Sequence, residues 1–318
     1  MYTQLGALGA KYGTVKESED RSLWWLRLFH VGGILAHGVG LLLTLLLGRH
    51  AIRVPVFMTR GVNIGTDDDV RMDRQVKFGE WWYLTWIVAA FYILSLSFHV
   101  VTFLALWVWD DWMASCLKRC LAPWRWLEYF ASASIMILLA SLLLGIREMA
   151  VNLMLTGSMA TVMVFGWLTE VHSSGLIEEN APPRQMCGWT LTRRWVPGSW
   201  VTRLQFHLFG YLPYVMVWAV VFEGYAYNYR EFRVLLPDFV QYSVISTCAL
   251  FTLFGLVQLV NQVHPYGPSF YWVCEATYVV LSFMAKANLG LVVLFQALVD
   301  GALFDQVLGA TTSAVPVG

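Results

Sequence analysis

The amino-acid sequence predicts an all-α membrane protein, a bundle of seven transmembrane helices. Of its 318 residues, 58% are hydrophobic and only 13% are charged, whereas soluble domains carry about 25% charged residues. Seven apolar stretches of roughly 20 or more residues follow one another, and each is long enough to cross a bilayer as a helix. Sixteen tryptophans, 14 tyrosines and 19 phenylalanines add the aromatic content that is typical of membrane interfaces.

We expect these stretches to form a single domain over residues 1–318. Lipid offers the backbone no hydrogen-bond partners, so each stretch should be a helix. Their approximate bounds are 23–47, 81–107, 124–144, 149–171, 201–222, 239–260 and 271–298. The chain shows no obvious internal repeat, which disfavours a transporter built on inverted repeats. It also begins without the apolar core and small-residue cleavage site of a secretory signal peptide.

Two of the connecting loops are long. Residues 50–80 form the first, and its segment IRVPVFMT predicts a strand or β-hairpin on the membrane surface. Residues 172–200 form the second, which is rich in Pro, Gly and Arg. By contrast, the turn at residues 145–148 is short, so the third and fourth helices should be antiparallel neighbours. Basic residues near the spans mildly favour a cytoplasmic N-terminus and an extracellular C-terminus.

Charge and cysteine content exclude some functions. The formal net charge is zero, which gives no support for nucleic-acid binding. Cys116 and Cys120 form a C-x3-C spacing in a predicted loop, but no His/Cys cluster accompanies them, so we do not expect a zinc site. Nothing in the sequence points to an enzyme.

The seventh stretch contains the only one of the five lysines that lies at membrane depth, Lys286. An ammonium group there costs a few kcal/mol or more, so it must be neutralised, paired or consumed. We favour the last of these, in which the lysine amine reacts with retinal to form a Schiff base. The alternative is a snorkelling or ion-paired structural lysine.

Glu128 in the third stretch is the leading acidic partner for this lysine. It lies about one turn inside Trp124 and Trp126, with Ser132 one turn further along the same face. Alternatively, Glu128 is a boundary residue that faces headgroups. Ser282 precedes Lys286 by four residues, at a position where seven-helix light-driven pumps usually carry an aspartate. A serine cannot hold a proton at neutral pH, which disfavours an outward proton pump of the usual design.

Other polar residues within the stretches are weaker candidates. His37 and His99, on the first two stretches, suggest a polar cavity near a titrating group, although each is also compatible with a structural role. His30 is interpreted as interfacial, and Asn152 as a helix-contact residue. The acidic residues interpreted as rim residues at span ends are Glu170, Glu223, Asp238, Glu275 and Asp300.

Aromatic residues on the fifth and sixth stretches are candidates to enclose a polyene. They are Phe206, Tyr214 and Trp218 on the fifth, and Phe251 and Phe254 on the sixth. The alternative for each is simple packing within the bundle.

The segment RWLEYFASASIMILLASLLLGIREMAVNLMLTGSMATVMVFGWLTE resembles the heliorhodopsins. It is similar to their RW-x-EY segment, closely spaced serines and methionine, short turn and fourth helix ending in Phe-Gly…Glu. AHGVG, FYILSLSFH and VVLSFMAK on the first, second and seventh stretches are similar too. The resemblance implies all-trans retinal on Lys286, a β-hairpin in the first loop, the inverted topology and a homodimer in membrane lipid. It also implies a rhodopsin-like fold with Glu128 as the counterion and Ser282 as its neighbour, and it places His37 and His99 along a polar cavity near the Schiff base. Ser132 and Met136 are further candidates for contact with the chromophore.

The function that we predict is light sensing, with a slow photocycle and an unknown signalling partner protein. One rival is a light-gated proton channel or transporter, whose support would be a polar path beyond the Schiff base, where the sequence shows mainly apolar residues. Another is a retinal-free seven-helix receptor or transporter.

Overall fold

The computed structural model describes residues 2–48, 53–54, 56–63, 70–77, 82–178, 184–186, 189–191, 194–231, 238–263 and 268–294. Within these residues the chain forms eight helices joined by turns and short strands. The helices are α1 (Tyr2–Leu47), α2 (Leu84–Val108), α3 (Asp110–Lys118), α4 (Pro123–Leu143), α5 (Met149–Ser173), α6 (Trp200–Glu231), α7 (Asp238–Val263) and α8 (Pro268–Val292).

Six of the described helices are long and apolar enough to cross a membrane. Their apolar spans are Leu23–Leu47, Leu84–Val108, Pro123–Leu143, Met149–Ser173, Trp200–Tyr227 and Phe239–Val263. They correspond to the first six predicted stretches. The seventh stretch forms the 25-residue helix α8, which carries Glu275, Lys286 and Asn288 within its apolar sequence. Residues 295–298 of that predicted stretch lie outside the described residues.

The seven long helices pack as a closed ring. Helix α1 contacts α2, which contacts α4, and the ring continues through α5, α6, α7 and α8 back to α1. Large apolar side chains are exposed on the outer faces, as lipid-facing residues are. Among them are Leu35, Leu46, Leu104, Met154 and Leu212.

The turn between α4 and α5 is short, as predicted. Gly145 adopts a φ of 76°, which glycine tolerates without steric cost. Asn152 accepts a hydrogen bond from the Ser141 hydroxyl and donates to the carbonyls of Ile146 and Glu148 at 2.9 and 3.0 Å. The predicted helix-contact role of Asn152 is therefore confirmed.

The two long loops contain paired strands. In the first loop, β2 (Phe57–Asn63) pairs antiparallel with β3 (Val70–Lys77), and the residues that join them, 64–69, lie outside the described residues. The amide of Phe57 donates to the carbonyl of Arg147 at 2.8 Å, which ties this loop to the α4–α5 turn. The remaining antiparallel pairs are β1 (Arg53–Val54) with β4 (Trp82–Tyr83), β5 (Ile177–Glu178) with β8 (Arg194–Trp195), and β6 (Arg184–Met186) with β7 (Trp189–Leu191).

Placing Cys116 in a loop was wrong, because it lies in the short helix α3. Asp110 and Asp111 occupy the first turn of α3 and Lys118 the last, an arrangement that complements the helix dipole. Met113 and Leu117 are buried against residues of α1 and α2. Cys116 is buried as well, and burial raises the pKa of its thiol. Cys120 follows α3 with a φ of 55°.

Candidate functional site

Lys286 and Glu128 form an ion pair in the interior of the bundle. Their exposed fractions are 1% and 8%. The ammonium nitrogen also lies 5.8 Å from the centre of the Tyr129 ring, which follows Glu128 on α4. Buried charges are tolerated when they are paired. The structure therefore brings together the lysine of α8 and the acid that the sequence selected for it.

A cavity extends from this pair towards α5, α6 and α7. Ser282, Ser132 and Met136 are all buried and line it next to Lys286. These three predicted neighbours of the lysine therefore contact the same cavity. The other lining residues are Trp126, Tyr129, Ala133, Val162, Met163, Phe165, Gly166, His207, Gly210, Tyr211, Tyr214, Phe251, Thr252, Phe254, Gly255, Gln258 and Ala285.

Three of the five predicted aromatic residues line the cavity, namely Tyr214, Phe251 and Phe254. Trp218 does not, because it packs behind Phe251 with ring centres 6.1 Å apart. Phe206 was also predicted wrongly, since it packs against the His172 ring at 5.2 Å, away from the cavity. Aromatic spacing along a helix does not determine which side chain faces the interior.

The two predicted histidines lie together, with a third, on the α1–α2 side of α8. The rings of His37 and His99 stack at 5.2 Å, and the Nδ1 atoms of His30 and His99 are 2.9 Å apart. They do not line the cavity, but His37 and His99 are within electrostatic range of Lys286. The interfacial interpretation of His30 was wrong. His30 is 6% exposed. The His99 ring beside it lies so close to Gly33 that a Cβ atom at this glycine would come within 2.7 Å of the ring.

Arg125, Glu170 and Glu275 form a buried ion-pair cluster that sequence reasoning missed. The Arg125 guanidinium pairs with both carboxylates, and the three residues are 1–3% exposed. Glu170 also accepts a hydrogen bond from the amide of Ala122 at 3.0 Å. The rim interpretation of Glu170 and Glu275 was therefore wrong. Their signal was present in the sequence as an arginine within the RW-x-EY segment, close to two acids near span ends.

A second missed group lies where α5, α6 and α7 meet. His207 and Gln258 are each 5% exposed, and their Nδ1 and Oε1 atoms are 3.0 Å apart. Gln258 also donates from Nε2 to the carbonyl of Gly166 at 2.8 Å. A histidine nearly two turns into an apolar stretch was the available signal.

Comparison with known families decides the identity of this bundle. The heliorhodopsin family model matches residues 26–298. The chain belongs to the heliorhodopsin family. The family and the bundle together make it a multi-pass integral membrane protein and support a light-sensing rhodopsin with a retinal chromophore.

Solved rhodopsin structures share the fold of this heliorhodopsin. The crystal structure of cyanorhodopsin from the cyanobacterium Tolypothrix sp. NIES-4075 has a TM-score of 0.53 at 11% identity, over 91% of this chain and 97% of that chain. The transmembrane domain and linker region of Salpingoeca rosetta rhodopsin phosphodiesterase has a TM-score of 0.53 at 12% identity, over 94% and 81%. No curated protein matches the sequence.

The residues around Lys286 fit the retinal that the family implies. The cavity has a primary amine at one end, and most of its wall is apolar or aromatic. A Cβ atom at Gly166 would meet the Trp126 ring, so the glycine allows the tryptophan to approach α5 closely as part of the cavity wall. A flat apolar ligand with an aldehyde group matches both features.

Proposed function

We propose that this heliorhodopsin is a light sensor in which all-trans retinal is attached to Lys286 as a Schiff base. Bound in this way, with its aldehyde oxygen released as water, retinal would supply a double bond that isomerises on absorbing light, and the linking nitrogen of Lys286 would carry a proton. The observation that carries the proposal is the Lys286–Glu128 pair at the end of a cavity with apolar and aromatic walls. Glu128 then acts as the counterion.

The protein residues have distinct roles in this proposal. Glu128 holds a negative charge beside the lysine nitrogen, and Ser282 offers a hydroxyl in place of a second carboxylate. The proton of the linking nitrogen passes to the polar surroundings formed by Glu128, His37 and His99, and the Nε2 atoms of both histidines have no hydrogen-bond partner among the described residues. Isomerisation drives a slow photocycle, and an unknown signalling partner protein reads the shift of the helices that follows. No enzymatic activity is part of the proposal.

The arrangement in the membrane also belongs to the proposal. Helix α8 is the seventh span of a single domain, since it closes the ring between α7 and α1. The N-terminus is cytoplasmic and the C-terminus extracellular, as the basic residues favour. The antiparallel strands β2 and β3 form a β-hairpin on the extracellular side. Two copies associate as a homodimer in the lipid.

Colour with retinal tests the central claim. Purified wild-type protein should bind added all-trans retinal and absorb visible light, whereas Lys286→Ala should stay colourless because it has no amine to form the bond. Lys118→Ala is the matched control, since Lys118 lies in the last turn of α3 and is not part of the cavity wall. A colourless wild type would refute the attachment.

A light-gated proton transporter is the second candidate, and the buried Arg125–Glu170–Glu275 cluster favours it. This cluster extends polar groups from Glu128 towards the end of the bundle where α4 begins. Towards the other end, α4 presents a buried apolar core that includes Ile137, Leu139 and Leu142. Along α4, therefore, the buried charged groups lie between the lysine and one end of the bundle, whereas the side chains towards the other end are mainly apolar, which supports the sensor.

Photocurrent under voltage clamp separates the two functions. We expect no sizeable current when the wild-type protein is illuminated with retinal present. A sizeable current that Glu128→Gln abolishes would overturn the pure-sensor proposal.

A further inference from the structure

His207 lies at the far side of the cavity from Lys286. Helix α6 packs against α5 and α7, whereas α8 packs against α7 and α1, so α7 separates the two helices in the ring. The imidazole is 5% exposed and contributes to the same cavity wall as Gly166 and Gln258. A ligand attached at Lys286 therefore extends its other end towards α5, α6 and His207.

Hydrogen bonding fixes which nitrogen of His207 carries the proton. The carbonyl of Gly166 can only accept, so the Gln258 group that faces it at 2.8 Å must be the amide NH₂. The Gln258 oxygen then faces Nδ1 of His207 at 3.0 Å, and this oxygen is also only an acceptor. Nδ1 must therefore be the donor, which leaves Nε2 as an acceptor with a free lone pair.

The Nε2 atom of His207 has no hydrogen-bond partner among the described residues. Leaving a buried acceptor unpaired is costly, because the atom has lost its water and gained nothing in exchange. The nearby Tyr211 ring does not satisfy it, since it packs edge-on against the imidazole with centres 5.0 Å apart. What the site lacks is a hydrogen-bond donor from the cavity side.

We propose that this end of the cavity recognises a hydroxyl group on the ring of the chromophore, so that the preferred ligand is a ring-hydroxylated retinal. The inference rests on the proposed attachment at Lys286, which directs the ring towards α6. A hydroxyl donates to Nε2 of His207, whereas a ring ketone would place a second acceptor against it. Plain retinal fits the apolar wall but leaves the lone pair unpaired.

Competition between chromophores tests the proposal. Full-length protein made without retinal is offered equal mixtures of all-trans retinal with its 3-hydroxy, 4-hydroxy or 4-oxo derivative, and the bound chromophores are extracted and quantified. We expect one hydroxylated form to be enriched about three- to tenfold over retinal, the range that one hydrogen bond gives. We expect the 4-oxo form to be bound less than retinal. Equal uptake of hydroxylated and plain retinal would overturn the proposal.

Variants locate the source of the preference. His207→Phe removes the acceptor and should bring the uptake ratio close to one. Gln258→Leu removes the acceptor that keeps the proton on Nδ1 of His207, so it should reduce the ratio of hydroxylated to plain retinal bound. This variant provides a second measurement if His207→Phe folds poorly. His172→Phe is the matched control, because His172 is an exposed histidine outside the cavity, and it should keep the wild-type ratio. An unchanged ratio in His207→Phe would refute the assignment. Colour with plain retinal in the wild type tests the attachment at Lys286 separately.

Discussion

The guanidinium carbon of Arg125 lies 4.0 Å from the centre of the Tyr278 ring. The backbone carbonyl of Tyr278 in turn accepts a hydrogen bond from the Tyr129 hydroxyl at 3.1 Å. Tyr129 stands next to Glu128, and its ring lies 5.8 Å from the lysine nitrogen. The Arg125 cluster and the Lys286–Glu128 pair are thus connected by two tyrosines across the α4–α8 contact.

Removing the arginine should strongly destabilise the fold. Arg125→Leu leaves Glu170 and Glu275 buried without their shared cation, and breaking a buried pair in this way costs about 3–5 kcal/mol. We expect a clear fall in the thermal unfolding midpoint in detergent. Arg230→Leu, at an exposed position near the end of α6, should change stability by about 0.5 kcal/mol or less.

A neutralised cluster distinguishes lost charge balance from lost packing. The triple variant Arg125→Leu, Glu170→Gln, Glu275→Gln carries no buried charge at this site, so it should recover part of the stability that the single variant loses. If the triple variant is less stable than Arg125→Leu, packing around the guanidinium matters more than its charge.

Glu128→Gln should shift the visible absorption of the retinal-bound protein to longer wavelength. A carboxylate beside the linking nitrogen stabilises the ground state, in which positive charge is localised there, and the amide removes this stabilisation. The absorption spectrum of the purified variant measures the shift. Glu223→Gln removes an exposed carboxylate on α6 and should leave the spectrum unchanged. A blue shift or no shift in Glu128→Gln would count against its role as counterion.

Asn152→Ala should destabilise the connection between α4 and α5. The side chain bonds the Ser141 hydroxyl and two turn carbonyls while only 1% exposed. Leaving such buried groups unpaired costs roughly 1–3 kcal/mol, which thermal unfolding should detect. The control is Ser134→Ala on α4, where an exposed hydroxyl bonds the Phe130 carbonyl of its own helix. Equal stability of the two variants would contradict the role of Asn152.

The sequence predicted those features that depend on one residue and its depth. Hydropathy is a local property, so the first six spans were found with bounds close to those of the helices. A lysine at membrane depth requires a compensating charge, and Glu128 was the best placed acid, so the pairing with Lys286 followed from electrostatics. Short α3 was missed because its nine residues are too few to form an apolar stretch.

The features that were missed depend on how the helices are rotated about their axes. Glu170 and Glu275 lie near span ends, where an acid usually faces water, and only the packing of α4, α5 and α8 turns both towards Arg125. In the same way, Trp218 and Phe251 are both buried, but only Phe251 faces the cavity. Hydrophobic periodicity is weak in a helix that is apolar on all sides, so the sequence does not define which face points inwards.

Gly166→Val should alter the cavity without affecting the rest of α5. A Cβ atom at this position would meet the buried ring of Trp126, so the tryptophan must move into the space that it now borders. We expect slower or weaker colour formation with all-trans retinal, together with a shifted absorption maximum in the protein that does bind. Gly157→Val is the matched control on the same helix, because a Cβ atom there has no heavy atom within 4 Å. Both substitutions add the same β-branched side chain to α5, so their difference isolates the contact with Trp126. Wild-type colour formation in Gly166→Val would show that this wall does not contact the chromophore.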